Sequence, residues 1–510
     1  MADGKTSGNY ELPGRLESLW LATTPQTDYP ALTNGLAVDV AVVGGGIVGV
    51  TAALLLKEAG LTVAIIESRR VISGVTGHTT AKITSQHGLI YGRLISRFGL
   101  EAAAVYAQAN QAALEKVAGL IETRSIACDF IRTPAYVFAE SDADVDEIEA
   151  EVTAGRRLGL PAVYTEETPL PFAVSAAVRF DAQAQFHPRK YLLAMVDDIA
   201  GNGSYVFEKT RALDIEDGDP CKVTTSRGRI EAKNVIIATH FPFYDKGFFY
   251  ARLVPKRDYV LAARIKGPVP DGMHYYKAGS TLRSIRNQPY GEESLLLICG
   301  GSHKSGDVDD TVRYYRLTEE YARSRFDVKS IDWRWSTQDY DTVDGLPYIG
   351  KSHGSKKIYV ACGFGGWGMT NGTLSAMIIS DDILGRANQW AELFAPGRIG
   401  LRALEKMTVT GAHVMTDYTT ERLTRIKPGD PSTLAEGEGR LMRVNGTKAA
   451  VCKDDKGKIH KLSIHCPHMN CLVNWNNADK TWDCPCHGSQ FDASGKVIHG
   501  PALADLMQVE

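Results

Sequence analysis

Apolar and polar positions first fall into a regular pattern near residue 38. Residues 39–43 form a short apolar run of strand type, 47–59 have helical length and stop at Gly60, and 61–67 are a second apolar run. A glycine just past the last periodic residue is a natural helix C-cap. Strand, tight turn, helix and strand together open a doubly wound sheet. Farther on, the Ala-rich stretch 101–122 predicts a helix. Strand-like runs recur at 129–139, 176–185, 235–239, 259–265, 294–298 and 358–362. The last enters a glycine-rich loop and a returning helix at 373–384. Before this periodic region, Pro13, Pro25 and Pro30 predict an irregular arm over residues 1–36. After Pro396 the pattern fades, and Pro428, Gly429, Pro431, Gly437 and Gly439 mark a linker. Short segments then alternate with turns, one of them Asp-Asp-Lys-Gly at 454–457, and predict a small all-β unit.

The first turn carries chemistry. Gly44-Gly45-Gly46-Ile47-Val48-Gly49 has the spacing G-x-G-x-x-G. Gly44 permits the tight turn, Gly46 lets a pyrophosphate approach the backbone, and Gly49 lets the helix pack closely on the sheet. The helix N-terminus offers free N–H groups and a positive dipole end. Glu67 ends the next strand, placed to accept hydrogen bonds from a ribose. The pattern follows a strand, opens a helix and has its acid in place, so a dinucleotide site is expected rather than a ligand-free glycine turn.

Length and composition narrow the class. A chain of 510 residues is too long for one core and predicts two or three domains. Hydrophobic and charged contents of 44% and 23% are those of a globular protein, and a net charge of −3 without a basic run excludes a general nucleic-acid binder. Residues 1–10 show no signal peptide. Two stretches lack charge. Residues 40–56 fall short of the roughly 20 a membrane span needs, and glycines and polar residues interrupt 358–380. No membrane span and a cytoplasmic location are expected.

Nine cysteines are present. Cys128, Cys221, Cys299, Cys362 and Cys452 stand singly, as small core residues do. Cys466, Cys471, Cys484 and Cys486 crowd one segment, which in a cytosolic chain suggests metal. A C-x-H half at Cys466 and His468 and a C-x-x-H half at Cys484 and His487 supply two thiolates and two imidazoles. Such a set suits a two-iron centre with thiolates on one iron and imidazoles on the other. It also satisfies tetrahedral zinc.

Two resemblances sharpen these readings. Cys466-Pro467-His468-Met469-Asn470-Cys471 and Cys484-Pro485-Cys486-His487-Gly488-Ser489 closely resemble the two boxes of the Rieske family. The resemblance implies a [2Fe–2S] cluster with Cys466 and Cys484 on one iron and His468 and His487 on the other. It further implies a disulfide between Cys471 and Cys486. Asn470 replaces the family's usual glycine, and Phe491 stands where high-potential members carry tyrosine. Ser489 keeps a hydroxyl for the cluster, but without the phenol donor a potential below that of respiratory-complex members is expected. Gly500-Pro501-Ala502 resembles the family's cluster-covering proline loop.

The second resemblance spans about residues 37–395. Residues 73–82 (Ser-Gly-Val-Thr-Gly-His-Thr-Thr-Ala-Lys), 234–240, 344–350 and 362–370 resemble, in order, segments of the D-amino-acid oxidase/glycine oxidase/sarcosine dehydrogenase superfamily. That implies FAD, bound by Gly44, Gly46, Gly49 and Glu67, by His78, Thr79 and Thr80 of the second segment, and by Gly363, Gly365, Gly366 and Gly368 of the last. Backbone N–H groups on that final turn are suited to the negative charge of a reduced flavin. His78 stands in a Gly-x-x-x-His setting similar to the covalent flavin site of dimethylglycine and sarcosine dehydrogenases; an ordinary polar contact is the other reading.

The expected fold is therefore an α/β FAD-binding Rossmann-like domain with an interleaved α+β substrate domain, plus a small all-β Rieske domain. The expected boundaries are an arm at 1–36, the oxidoreductase domain at 37–395, a linker at 396–433 and the Rieske domain at 434–510. Within the oxidoreductase domain, nucleotide-binding parts are expected at 37–125, 186–245 and 335–395, and substrate parts at 126–185 and 246–334. Among the polar residues of the substrate region, Arg283 and His303 are the catalytic candidates, and the segment Trp335-Ser336-Thr337-Gln338-Asp339 is expected to line the flavin. The function implied is oxidation of a small-molecule amine or amino acid, with electrons leaving FAD through the Rieske centre to an external acceptor. Two alternatives stand beside it: a reductase or hydroxylase with current running from an external donor through the cluster to the flavin, and a non-enzymatic redox sensor or carrier.

Overall fold

The computed structural model describes residues 11–278, 281–398 and 426–509. Among them, one sheet has a parallel centre. Tyr205–Phe207, Val63–Ile66, Leu36–Val43, Gly228–Ile237 and Ile358–Cys362 lie side by side in that order, with Tyr348–Lys351 antiparallel at the edge. Strands covered on both faces read as continuous apolar runs, which is why Val40 to Val43 and Ile358 to Cys362 are buried throughout. The helix Ile47–Glu58 follows the glycine turn, and the helix Gly368–Ile383 follows the last parallel strand.

The second sheet is larger and mostly antiparallel. Its order is Arg15–Leu16, Val328–Thr342, Leu253–Ile265, Glu293–Lys304, Thr281–Tyr290, Met273–Ala278, Ile131–Ala139, Ala176–Gln185 and Lys82–Ile83, with Ala162–Thr165 also paired to Ala176–Gln185. The arm is not simply irregular. Arg15 and Leu16 pair in parallel with Trp333 and Arg334, and the short helix Leu19–Ala22 buries Trp20 in the main core. Residues 335–342, expected with the nucleotide-binding parts, belong to this second sheet. The predicted helix over 101–122 starts earlier, at Tyr91, and bends at Gly99, whose φ of 87° no helix interior accommodates.

Side chains on a strand alternate between faces, and register carries that alternation across a sheet. Along the paired strands Leu253–Ile265 and Val328–Thr342, Lys256 pairs with Asp339 and Asp258 with Thr337, while Arg257 pairs with Gln338 and Tyr259 with Ser336. The first set looks toward the flavin-type cradle described below. Arg257 and Gln338, on the opposite face, meet the C-terminal domain.

That domain carries two small antiparallel sheets. One contains Gly439–Val444, Thr447–Lys453 and Ile459–Leu462. The other contains Asn474–Asn476, Thr481–Asp483, Gln490–Phe491 and Val497–His499. The predicted turn at 454–457 joins two strands of the first, with Gly457 N donating to Asp454 O. Trp475, Trp482, Phe491 and Leu462 form a separate core. Of the expected linker, residues 399–425 lie outside the described residues. No helix among the described residues is long and apolar enough to cross a membrane.

Candidate active site and metal centre

A long cavity begins at Glu67, passes the glycine turn and ends among residues of the large sheet. Two helix N-termini open into it, those of Ile47–Glu58 and Gly368–Ile383. Each presents unpaired N–H groups and a positive dipole end, so an elongated ligand with anionic groups at two places fits. The glycines are dictated by contact. A Cβ on Gly49 would overlap the Gly44 carbonyl, and Gly44 itself has φ +112°. Glu67 Oε2 accepts from Gly45 N at 2.9 Å and Oε1 from Arg69 N at 2.9 Å, which fixes the carboxylate at the end where a ribose would lie.

Gly44, Gly46, Glu67, Thr79, Thr80, Gly365, Gly366 and Gly368 line the cavity, as expected of FAD-binding positions. Gly49, His78 and Gly363 stand behind the wall rather than in it. Gly363 permits close packing against Thr342. His78 turns Nδ1 to Gly74 O at 2.8 Å, and its carbonyl accepts from Trp335 Nε1 at 2.8 Å. Asp339 is a cavity residue: its Oδ2 accepts from Gly366 N at 2.6 Å and its Oδ1 from His240 Nε2 at 3.0 Å. Burial alone would raise the Asp339 pKa, but the His240 bond and the N–H groups of Tyr340 and Gly366 outweigh it and hold the carboxyl below its usual range.

The catalytic candidates do not reach this cavity. Arg283 lies over the Tyr321 ring, 5.1 Å from its centroid. His303 bonds Tyr259 OH at 3.0 Å and stacks on Tyr314. Strand alternation explains Arg283: its neighbour Ser284 lines the cavity, so Arg283 faces the other way. Instead the substrate end gathers Lys82, Lys256, Asp258, Tyr275, Ser284 and Cys299. Cys299 lies in the main core, as expected of a lone cysteine, and also forms part of this wall. One sequence signal was available, charged residues at alternate positions 256 and 258 of a strand whose next residues are buried and apolar.

In the C-terminal domain both predicted ligand pairs converge. Cys466 and Cys484 are buried and hydrogen-bonded to each other, which pulls Cys466 down to about 7 and pushes Cys484 up. The two imidazole rings meet edge to face at 4.9 Å, and Nδ1 of each is buried without a hydrogen-bond partner among the described residues. Burial keeps both neutral, His468 down to about 4 and His487 to about 3. Two thiols and two neutral imidazoles with open Nδ1 atoms are the donor set a Rieske cluster takes. His487 Nε2 donates to Tyr250 O at 3.1 Å, which fixes the tautomer that leaves Nδ1 as ligand. Cys471 and Cys486 form the expected disulfide, with Cα atoms 6.4 Å apart. Their sulfurs lie near that of Cys484, but being bonded to each other they offer no thiolate. Ser489 Oγ accepts from Ala502 N at 3.0 Å and its hydroxyl also bonds the Cys466 sulfur.

The two sites adjoin. Gln338 Nε2 donates to Gly488 O at 2.9 Å and Tyr340 OH donates to His487 O at 2.9 Å. The Phe241 ring lies 6.0 Å from His468 and 5.7 Å from His487. Arg257, almost fully buried, pairs with Asp479 and Asp483 of the C-terminal domain, each at 3.1 Å. Residues 498–503 of that domain form part of the flavin-cavity wall, and His499 Nε2 lies 3.2 Å from His240 Nδ1.

A dinucleotide cradle closed by a second domain with a thiolate/imidazole pocket defines a flavoprotein fused to an iron–sulfur domain. Residues 39–381 match the model of FAD dependent oxidoreductases, and residues 425–510 match that of the Rieske [2Fe-2S] domain. The chain belongs to the FAD dependent oxidoreductase family and carries a C-terminal Rieske domain; its cofactors are FAD and a [2Fe–2S] cluster. It is 37% identical over 499 residues, 97% of each chain, to YhfW of Bacillus subtilis (strain 168), a Rieske 2Fe-2S iron-sulfur protein by name. It is 24% identical over 379 residues to gamma-glutamylputrescine oxidoreductase of Escherichia coli (strain K12), covering 71% of this chain and 87% of that one. Among solved structures, glycine oxidase from Geobacillus kaustophilus superposes with a TM-score of 0.58 at 20% identity, over 71% of this chain and 100% of that one, which shows the shared fold.

Proposed function

We propose that this protein is a dehydrogenase that oxidises a small amine or amino acid at the FAD and sends the electrons through its Rieske cluster to an external acceptor. The observation that carries the reading is the shared pair of strands. Residues 256, 258 and 339 line the flavin cavity, while 257, 338 and 340 hold the cluster-bearing domain from the other face. Flavin, when bound, accepts two electrons and can release them singly, which suits a one-electron cluster held on the other face of the same strands. The chain's own residues position both partners: Asp339 fixes the loop at Gly366, and Tyr250 fixes the His487 tautomer. The relatives named above for glycine and gamma-glutamylputrescine chemistry support an amino or amine donor.

Anaerobic mixing of holoprotein with a panel of amines and amino acids tests this. The expected result is bleaching of the flavin followed by reduction of the cluster. Bleaching only by reduced pyridine nucleotide or ferredoxin assigns the opposite direction of flow, and no bleaching by any donor leaves a sensor.

A further inference from the structure

The substrate end of the flavin cavity is built from one row of residues. Tyr275 pairs with Ser284, Ser284 with Cys299, and Cys299 with Val260, two residues from Asp258. All but Val260 line the cavity. Lys82 enters from the far edge of the same sheet, its Nζ bonded to Ser284 Oγ and lying 3.3 Å from Thr80 Oγ1. From Ser284 to the Asp258 strand is two inter-strand spacings, roughly 10 Å, and Lys82 and Asp258 both line this cavity.

The charges there are unequal in partners. Lys256 keeps its cation: burial works against it, but Asp258 and Asp341 outweigh burial and raise its pKa. Asp258 is 8% exposed; burial raises its pKa, the Lys256 cation and a Ser302 bond oppose that, and its Oδ1 has no hydrogen-bond partner among the described residues. A buried carboxylate oxygen left open in a cavity is costly unless a ligand fills it. Among the described residues Lys82 has hydroxyl partners and no carboxylate. Burial takes its pKa down to about 7, with the Cys299 thiol opposing and the Arg286 guanidinium reinforcing the shift; His274 is the other titratable group in its field. Among the described residues no arginine lines this end. Arg286 spends its donors on the carbonyls of Thr80, Ala81, Phe186 and Asn287, while Arg69 and Arg211 reach the carbonyls of Ile498 and Val497 at the opposite end.

We infer that this site takes a cationic amine lacking an α-carboxylate, with Asp258 receiving the ammonium group and Lys82 accepting its proton. The inference rests on the amine-oxidation reading above and narrows it. The substrate N–H bond breaks, an N–H bond forms at neutral Lys82 Nζ, and the free amine remains. The α-carbon then loses a hydride, with its two electrons, to the flavin, leaving an iminium ion that water hydrolyses to carbonyl compound and ammonium. Deprotonation must come first because a protonated nitrogen has no lone pair to stabilise the developing cation.

The test is equilibrium binding to oxidised holoprotein, followed by the visible flavin spectrum. The probes are tert-butylamine and 2-aminoisobutyrate, neither of which has an α-hydrogen to lose. Tert-butylamine should bind saturably and 2-aminoisobutyrate at least about tenfold more weakly. Asp258→Asn should weaken tert-butylamine about tenfold or more. Lys82→Met should leave that affinity within a few-fold but slow flavin reduction by butylamine about a hundredfold near neutral pH, with recovery as pH rises toward the amine's own pKa. Tighter binding of 2-aminoisobutyrate, lost in Lys82→Met, would overturn the inference by making Lys82 a carboxylate anchor. Unchanged tert-butylamine affinity in Asp258→Asn, confirmed with Asp258→Ser, would overturn it too. If butylamine binds through Asp258 yet never bleaches the wild-type flavin, the binding site stands and the amine-oxidation reading falls.

Discussion

Gln338 and Asp339 are consecutive residues that serve different cofactor sites. The Gln338 amide donates to Gly488 O, beside the cluster ligand His487, while the Asp339 carboxylate holds Gly366 N in the flavin loop. A strand turns successive side chains to opposite faces, so a single peptide unit separates the two environments. Asp339→Asn should therefore change the flavin without changing the cluster. Removing a carboxylate beside the loop favours an anionic reduced flavin, so its midpoint potential should rise by tens of millivolts in a dye-coupled titration while the cluster's EPR signal stays in place.

Arg257 is the second such link. It is buried between Asp479 and Asp483, and replacing it by Met leaves two acids uncompensated. Loss of one partner in a buried ionic cluster costs about 3–5 kcal/mol. Urea unfolding of Arg257→Met should show a loss of that order, and Asp479→Asn combined with Asp483→Asn in the same background should restore part of it.

Phe491 is fully buried next to the cluster pocket and offers no donor. Voltammetry of the wild type should give a potential below the upper part of the Rieske range, which reaches about +300 mV. Phe491→Tyr should raise the value, and Ser489→Ala, which removes the hydroxyl bonded to the Cys466 sulfur, should lower it.

Lys82 links the active site to stability. Its folded pKa, about 7, lies below the ordinary 10.5, so the unfolded chain binds the extra proton between those values. Stability therefore rises with pH across that window, and the destabilisation is fully present below it. Apoprotein carrying Lys82→Met should be more stable than wild type by up to about 4 kcal/mol near neutral pH. The gain should fade as pH approaches 10.5. A gain independent of pH would show that packing, not charge burial, is responsible.

What could be read in the sequence was what lies close along the chain. The glycine turn, Glu67 and both cluster boxes are local, since each motif fixes its own backbone and ligands within a few residues. The cluster ligands and the disulfide partners converge as the resemblance implied. The substrate end was not legible because Lys82, Asp258, Ser284 and Cys299 come from four strands whose register no short window reveals. Arg283 shows the difficulty: one position along the same strand decides between cavity and helix-packed face. The arm misled through its prolines. Trp20 is buried there because its ring fits beside His187 and Trp335, contacts made far away in sequence.

Residues 498–503 form one side of the flavin cavity although they belong to the Rieske domain. That ties access to the cavity to the docking of the second domain. FAD entry should be easier while that segment is undocked from the cavity. Apoprotein that has already acquired its cluster should take up added FAD slowly, and mild urea that loosens domain docking should speed the uptake.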